Sequence, residues 1–187
     1  MSDKFKLLLK QIHFPQHEEA YNEIKSGSIE SVKLFKSKRQ WFFVFSFRNL
    51  LSYETFTLFD NLLHSSFDSL GAKVSYMINV EDISCDQSLL EAYFSYALDI
   101  LKSSHFSIYS LFSNLGIEIS NNSISVKAPA HILRENLHER FIALIADVLS
   151  NVGLSNVSIS VLEDKEASSS LEEAYETNKI SLDRKST

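Results

Sequence analysis

The residues best suited to chemistry in this chain are His131, Glu135 and His138, whose spacings of four and three would place them on one face of a continuous helix. Two imidazoles and a carboxylate could hold a zinc ion. The order is not H-E-x-x-H, no fourth ligand is evident, and the face points away from the apolar stripe of the same segment, so we expect a solvated face and no metal. Cys85 is the single cysteine and lies just before a helix start, where a thiol pKa can be lowered. No histidine is near it in sequence, and a small apolar role is the expectation. His13 and His17 flank Pro15, which breaks any helical spacing between them. The carboxylate pairs Glu81–Asp82, Glu163–Asp164 and Glu172–Glu173 fall in polar junctions or a tail, poor places to position an acid and a base. The isolated glycines Gly27, Gly71, Gly116 and Gly153 form no phosphate loop. These residues give no support for catalysis.

One local patch could meet a polyanion: Lys36, Lys38 and Arg39 in a polar break, with Lys33 just upstream and aromatic residues from Trp41 onward. Strand turns are often charged for solubility, so a plain hairpin tip is the competing reading. The chain as a whole carries 18 Lys and Arg against 24 Asp and Glu, a net charge of −6, so phosphate binding would have to be local.

The elements that must carry these residues follow from periodicity. Phe5, Leu8, Leu9 and Ile12 lie on one face of a short helix that Pro15 closes. Residues 16–25 read as a further helical turn or two. Ile29 to Phe35, then Trp41-Phe-Phe-Val-Phe-Ser-Phe47, read as two strands joined by the basic hairpin. Ser52 caps a helix whose face is Phe56, Phe59, Leu62, Leu63, Phe67 and Leu70, and Gly71 stops it. Val74, Tyr76, Ile78 and Val80 alternate as a third strand.

The pattern then recurs. Ser84 and Gln87 suggest a capping box for a buried helix carrying Leu90, Tyr93, Phe94 and Leu101. A shorter helix is expected from Phe106 to Leu115. A hairpin follows over residues 117–126, its Asn121-Asn122 turn in the left-handed conformation. Pro129 opens one long helix through Leu133, Leu137, Phe141, Leu144, Val148 and Val152, Gly153 ends it, and residues 157–161 form a last strand.

Two ordered strand-strand-helix-strand cores result, an internal structural repeat. The fold class is α+β: mostly antiparallel sheets with helices packed on one face. Residues 1–81 form the first module, 82–163 the second, and 164–187 a polar tail or linker. A hydrophobic fraction of 44% excludes disorder of the whole, the lone cysteine excludes a disulfide scaffold, and no segment is long and apolar enough for a membrane span. The reading is of a cytoplasmic protein.

Two segments carry a resemblance. Met1-Ser-Asp-Lys-Phe-Lys-Leu-Leu-Leu-Lys-Gln-Ile12 with Pro15 soon after, and Arg39-Gln-Trp-Phe-Phe-Val-Phe-Ser-Phe47, resemble the start of the PolC-type DNA polymerase III alpha subunit of low-GC Gram-positive bacteria. Leu89-Leu-Glu-Ala-Tyr-Phe-Ser-Tyr-Ala97, Val126-Lys-Ala-Pro129 and Val152-Gly-Leu154 are similar to later landmarks of the same region. The resemblance implies a noncatalytic N-terminal part of a replicative polymerase, whose polymerase and 3′–5′ exonuclease segments, with their divalent metal ions, lie elsewhere. It implies no cofactor in this region. It also implies a contact with replisome proteins, the clamp-loader tau subunit among them, because the first module is similar in fold to the polymerase-binding domain of tau; that contact is expected on the exposed hairpin, with Lys33, Lys36, Lys38 and Arg39, and on an outer helix face. The alternative partner is single-stranded nucleic acid, held through Lys33, Lys36, Lys38 and Arg39.

Overall fold

The computed structural model describes residues 3–185. Helices α1 (Asp3–Gln11) and α2 (Glu19–Ile24) precede strands β1 (Ser28–Phe35) and β2 (Gln40–Asn49), helix α3 (Tyr53–Ser69) and strand β3 (Lys73–Asp82). The second half runs α4 (Gln87–Ser104), α5 (Phe106–Phe112), β4 (Gly116–Ser120), β5 (Ser123–Ala128), α6 (Ala130–Arg134), α7 (Leu137–Asn151) and β6 (Ser158–Glu163), followed by α8 (Lys165–Lys185). The expected repeat is present: each half carries a three-stranded sheet whose middle strand comes second in sequence.

In both sheets the first pairing is antiparallel and the second parallel, so the sheets are mixed where mostly antiparallel pairing was expected. The helix between the second and third strands carries the chain back to the starting end, and such a crossover makes the two strands parallel. Alternation along β2 sends Phe43, Phe45 and Phe47 to the helical side, where all are buried. Phe45 packs edge-on to Phe5 of α1 at 5.9 Å and to Phe59 of α3 at 5.2 Å between ring centroids. The second half closes around Phe112 and Phe141, stacked at 4.3 Å.

The two halves share one core. Tyr93 of α4 lies 5.2 Å from Phe56 and 5.6 Å from Tyr53 of α3, and its hydroxyl donates to the Leu51 carbonyl at 2.9 Å. The crossover helices α3 and α7 end in the same motif. At Gly71, Ala72 N–H donates to Phe67 O and Gly71 N–H to Asp68 O; at Gly153, Leu154 N–H donates to Leu149 O and Gly153 N–H to Ser150 O. This is the Schellman pattern, and both glycines have positive φ.

Several local expectations are corrected. Leu70, assigned to the α3 core face, is the C-cap residue and is exposed. The cap of α4 is Asp86, whose carboxylate accepts from Leu89 N–H at 2.8 Å, because the helix starts two residues later than the Ser84 box requires. The 121–122 hairpin forms, but neither asparagine has positive φ; the left-handed asparagine is Asn136. Asn136 divides the segment expected to be one helix into α6 and α7. Residues 165–185 are helical although they read as a tail, with Asp164 accepting from the N–H groups of Glu166 and Ala167 to start the helix. Tyr175 and Ile180 on this helix are exposed.

Candidate functional site

The basic hairpin is built by a single 3-10 turn over Lys36–Lys38, closed by Arg39 in the left-handed region at φ 48° with its N–H on the Lys36 carbonyl. Lys33, Lys36, Lys38 and Arg39 are all exposed, so the structure does bring the four predicted cations to one end of the first sheet. A fifth joins them. The Arg39 carbonyl accepts from Lys73 N–H at 2.8 Å, and Gln40 pairs with Lys73 at the start of β3. Sequence reasoning missed Lys73 because it lies 34 positions after Arg39; parallel pairing places the starts of β2 and β3 together. Among the described residues none of these five cations has an ion-pair partner; the ion pairs found are His64–Asp60 and Lys127–Glu118.

The same hairpin exposes a sheet face. Trp41, Phe43, Phe45 and Phe47 point to the helices, so Phe42 points the other way, and Lys33 is its partner on β1. On that outer face Lys33, Phe42 and Ser75 form one row across the three strands, and Phe35, Gln40 and Lys73 the next. No outer-face residue is buried, whereas Phe43, Phe45, Phe47, Val74 and Ile78 on the inner face all are. Phe35 is 47% exposed, and Gln40 Nε2 donates to Ser75 Oγ at 3.2 Å. No acidic side chain lies in these two rows. At the far end Asn79 donates to Glu30 at 2.9 Å, where a register shift sets Glu30 out of the ladder.

On the helical side, a cavity of about 350 Å³ opens between the C-terminal ends of α1 and α3, lined by Leu8, Ile12, His13, Phe67 and Leu70. Leu70 is 76% exposed on its rim. Phe67 at its floor continues into the core through Trp41 at 6.0 Å.

A third cluster sits at the junction of the halves. Tyr76 donates to Asp60 Oδ1, and His64 Nδ1 lies 3.2 Å from the same carboxylate oxygen and 2.8 Å from the Asp60 carbonyl. The hydrogen bond to Asp60 raises the His64 pKa to about 9 against the opposing effect of burial. Burial, then the Asp60 charge, pushes the Tyr76 and Tyr96 hydroxyls well above the usual phenol range. These groups border a cavity of about 190 Å³ closed by Val148 and Val152 of the second half. Nearby, Glu23 of α2 accepts from Ser52 N–H, Ser52 Oγ and Thr55 Oγ1, and so holds the N-terminus of α3.

The remaining candidates are separated. His131 lies in α6, Glu135 follows it and His138 lies in α7, so the break at Asn136 removes the shared helical face. Among the described residues no group of three His, Cys, Asp or Glu side chains is arranged to hold a metal ion. Cys85 is half-buried, and burial with the Asp86 charge raises its pKa, opposite to what a nucleophile needs. No helix among the described residues is long and apolar enough to cross a membrane.

Comparison with known proteins gives a consistent family. Residues 4–78 match the model described as DNA polymerase III polC-type N-terminus I, and residues 92–187 match that of N-terminus II. Over 182 residues, 97% of the chain, it is 26% identical to the DNA polymerase III PolC-type of Streptococcus agalactiae, covering 12% of that protein. It is similarly 27% identical to the Streptococcus suis protein over 86% of the chain and 11% of the relative, and 24% identical to that of Streptococcus pyogenes over 99% and 13%. The chain therefore spans about an eighth of the length of the curated relatives it matches. No solved structure matches it. With both N-terminus models matched in order across a repeated strand-strand-helix-strand fold, the chain belongs to the PolC-type DNA polymerase III family.

Proposed function

We propose that this chain is the noncatalytic N-terminal region of a replicative DNA polymerase III and serves there as a protein-docking module of the replication machinery. Polymerase and 3′–5′ exonuclease activity, and the divalent metal ions they use, would belong to other segments of the parent protein. The observation that carries the docking role is the cavity between the ends of α1 and α3, where Leu8, Ile12 and Phe67 form an apolar side and Leu70 stands on the rim at 76% exposure among the polar Gln11, Ser66 and Ser69. A leucine this exposed gains little for the fold and much for an interface with an apolar centre. The clamp-loader tau subunit is the partner to test first. Calorimetric titration of the chain with purified tau should give binding that changes little with salt and is lost in Leu70→Asp. Because Leu70 lies beyond the last turn of α3, that variant should unfold at the same urea concentration as the parent. Binding unaffected by Leu70→Asp, or no binding, refutes the docking reading.

A second reading, contact with nucleic acid through Lys33, Lys36, Lys38 and Arg39, is favoured by one specific observation: these cations and Lys73 share one end of the sheet and have no ion-pair partner among the described residues. Phosphate contacts weaken steeply with salt, which separates the two readings.

A further inference from the structure

We infer that the outer face of the β1–β2–β3 sheet is a binding platform for single-stranded nucleic acid, with Phe42 and Phe35 stacking on bases and Lys33 and Lys73 holding phosphates. The inference rests on the nucleic-acid reading above and goes beyond it by assigning the sheet face as the surface and Phe35, Phe42 and Lys73 as further contacts.

Position, chemistry and charge all bear on it. A three-stranded sheet with helices on one side leaves its other face to solvent, and such faces are ordinarily polar. This one carries an aromatic ring on its central strand and another on its edge strand. Phe35 and Phe42 are diagonal neighbours on adjacent strands, a relationship that sets side chains about 7–8 Å apart on one surface. Two rings presented side by side in this way offer consecutive stacking positions. Every base has a flat face, so stacking of this kind tolerates any sequence. The two paired bases of a duplex step are already stacked on their neighbours, so the rings select unpaired strands.

The polar residues fit the same ligand. Lys33 and Lys73 flank Phe42 and Gln40 from the two edge strands, and Lys36, Lys38 and Arg39 extend the positive charge past the sheet end. Gln40 and Ser75, already joined at 3.2 Å, stand between the lysine rows with amide and hydroxyl groups able to bond base edges or sugar. The chain bears a net charge of −6, so five cations gathered in one place, none ion-paired among the described residues, are not a sample of its surface. An acidic protein segment would satisfy the lysines, but it would not call for two side-by-side aromatic rings among them.

Fluorescence anisotropy with a labelled oligo-dT of about 12 nucleotides, and with a duplex of the same length, tests the assignment. The 187-residue chain should bind the single strand in preference to the duplex. With about four phosphates neutralised, at about 0.7 decades each, a tenfold rise in salt should weaken binding by several hundred-fold. Phe42→Leu keeps an apolar side chain of similar reach and removes the aromatic face; it should weaken binding about tenfold at an unchanged salt slope, and Phe42→Trp should restore it. Lys33→Glu with Lys73→Glu should weaken binding and flatten the slope.

If Lys36→Glu with Lys38→Glu abolishes binding while Phe42→Leu and Phe35→Leu do not alter it, the hairpin contact stands and the platform is wrong. Equal affinity for the duplex also overturns the platform. Absence of any oligonucleotide binding at low salt overturns both. Binding of purified tau that is lost in Phe42→Leu, with no oligonucleotide bound, would assign the face to a protein.

Discussion

Gly71 and Gly153 end the crossover helices α3 and α7 with the same hydrogen-bonding motif, and their surroundings differ, so alanine at each separates backbone strain from crowding within one molecule. At Gly71, φ is +65° and a new Cβ would meet nothing within 4 Å. The left-handed conformation costs an L residue about 1–2 kcal/mol, offset by about 0.5 kcal/mol from the stiffer unfolded chain. Gly71→Ala should therefore destabilise by about 1 kcal/mol. At Gly153, φ is +100°, and the Cβ would stand 2.5 Å from Val80 Cγ2 and 3.5 Å from Leu50 Cδ1. The close methyl belongs to a β-branched side chain on β3, which has little room to turn away. Crowding of this sort adds about 1–3 kcal/mol, giving a total of about 3 kcal/mol for Gly153→Ala. Urea unfolding followed by circular dichroism, with m compared between variants, measures both. Val80→Ala in the Gly153→Ala background should recover about 1–2 kcal/mol relative to additivity, because it removes the clash and leaves the strain. Equal losses at the two glycines, or a strictly additive double variant, would refute the claim that α7 and β3 meet at Gly153 closely enough to weld the halves.

The same fold makes further predictions. Phe45→Ala should cost about 3–5 kcal/mol in urea unfolding, since the ring is fully buried among Phe5, Phe43 and Phe59. Tyr93→Phe should cost about 1 kcal/mol by leaving the Leu51 carbonyl at the junction of the halves without its donor. Ser52→Ala should cost about 1 kcal/mol through the N-cap of α3, measurable in the same assay. Stability should also depend on His64: its pKa is raised from 6.5 to about 9, so its contribution is whole below pH 6.5 and lost as pH rises through about 9. Urea midpoints of the parent should therefore fall between pH 6.5 and 9.5, and His64→Gln should flatten that part of the profile; an unchanged slope would show that the Asp60 contact does not hold the imidazolium.

Much of the layout was legible in the chain because it depends on local rules. Alternation from Val74 to Val80 gives a strand whatever it pairs with, and Ser52 and Gly71 mark helix ends through hydrogen bonds that span only a few residues. The repeat was visible for the same reason. The metal candidate failed at a local event too subtle for periodicity: Asn136 adopts the left-handed conformation that any asparagine tolerates, and His131 and His138 fall on separate helices. The stripe from Leu133 to Val152 continues through that break with little change, so hydrophobic spacing alone did not register it.

By itself the amino-acid order determined which segments up to residue 163 are helix or strand, apart from the break at Asn136, where the aromatic core lies, and that four cations cluster between two strands. The tertiary structure alone decided which strand ends meet. Parallel pairing of β2 with β3 set Lys73 beside Arg39, and with one face of the sheet taken by α1 and α3, Phe42 was left on the open side opposite Phe43 and Phe45. It also decided that the two repeats are one body, through Tyr93 on Phe56 and Gly153 on Val80. The physical reason is that periodicity specifies which side of an element is apolar, and the partner that covers that side is chosen only when distant segments compete to bury it.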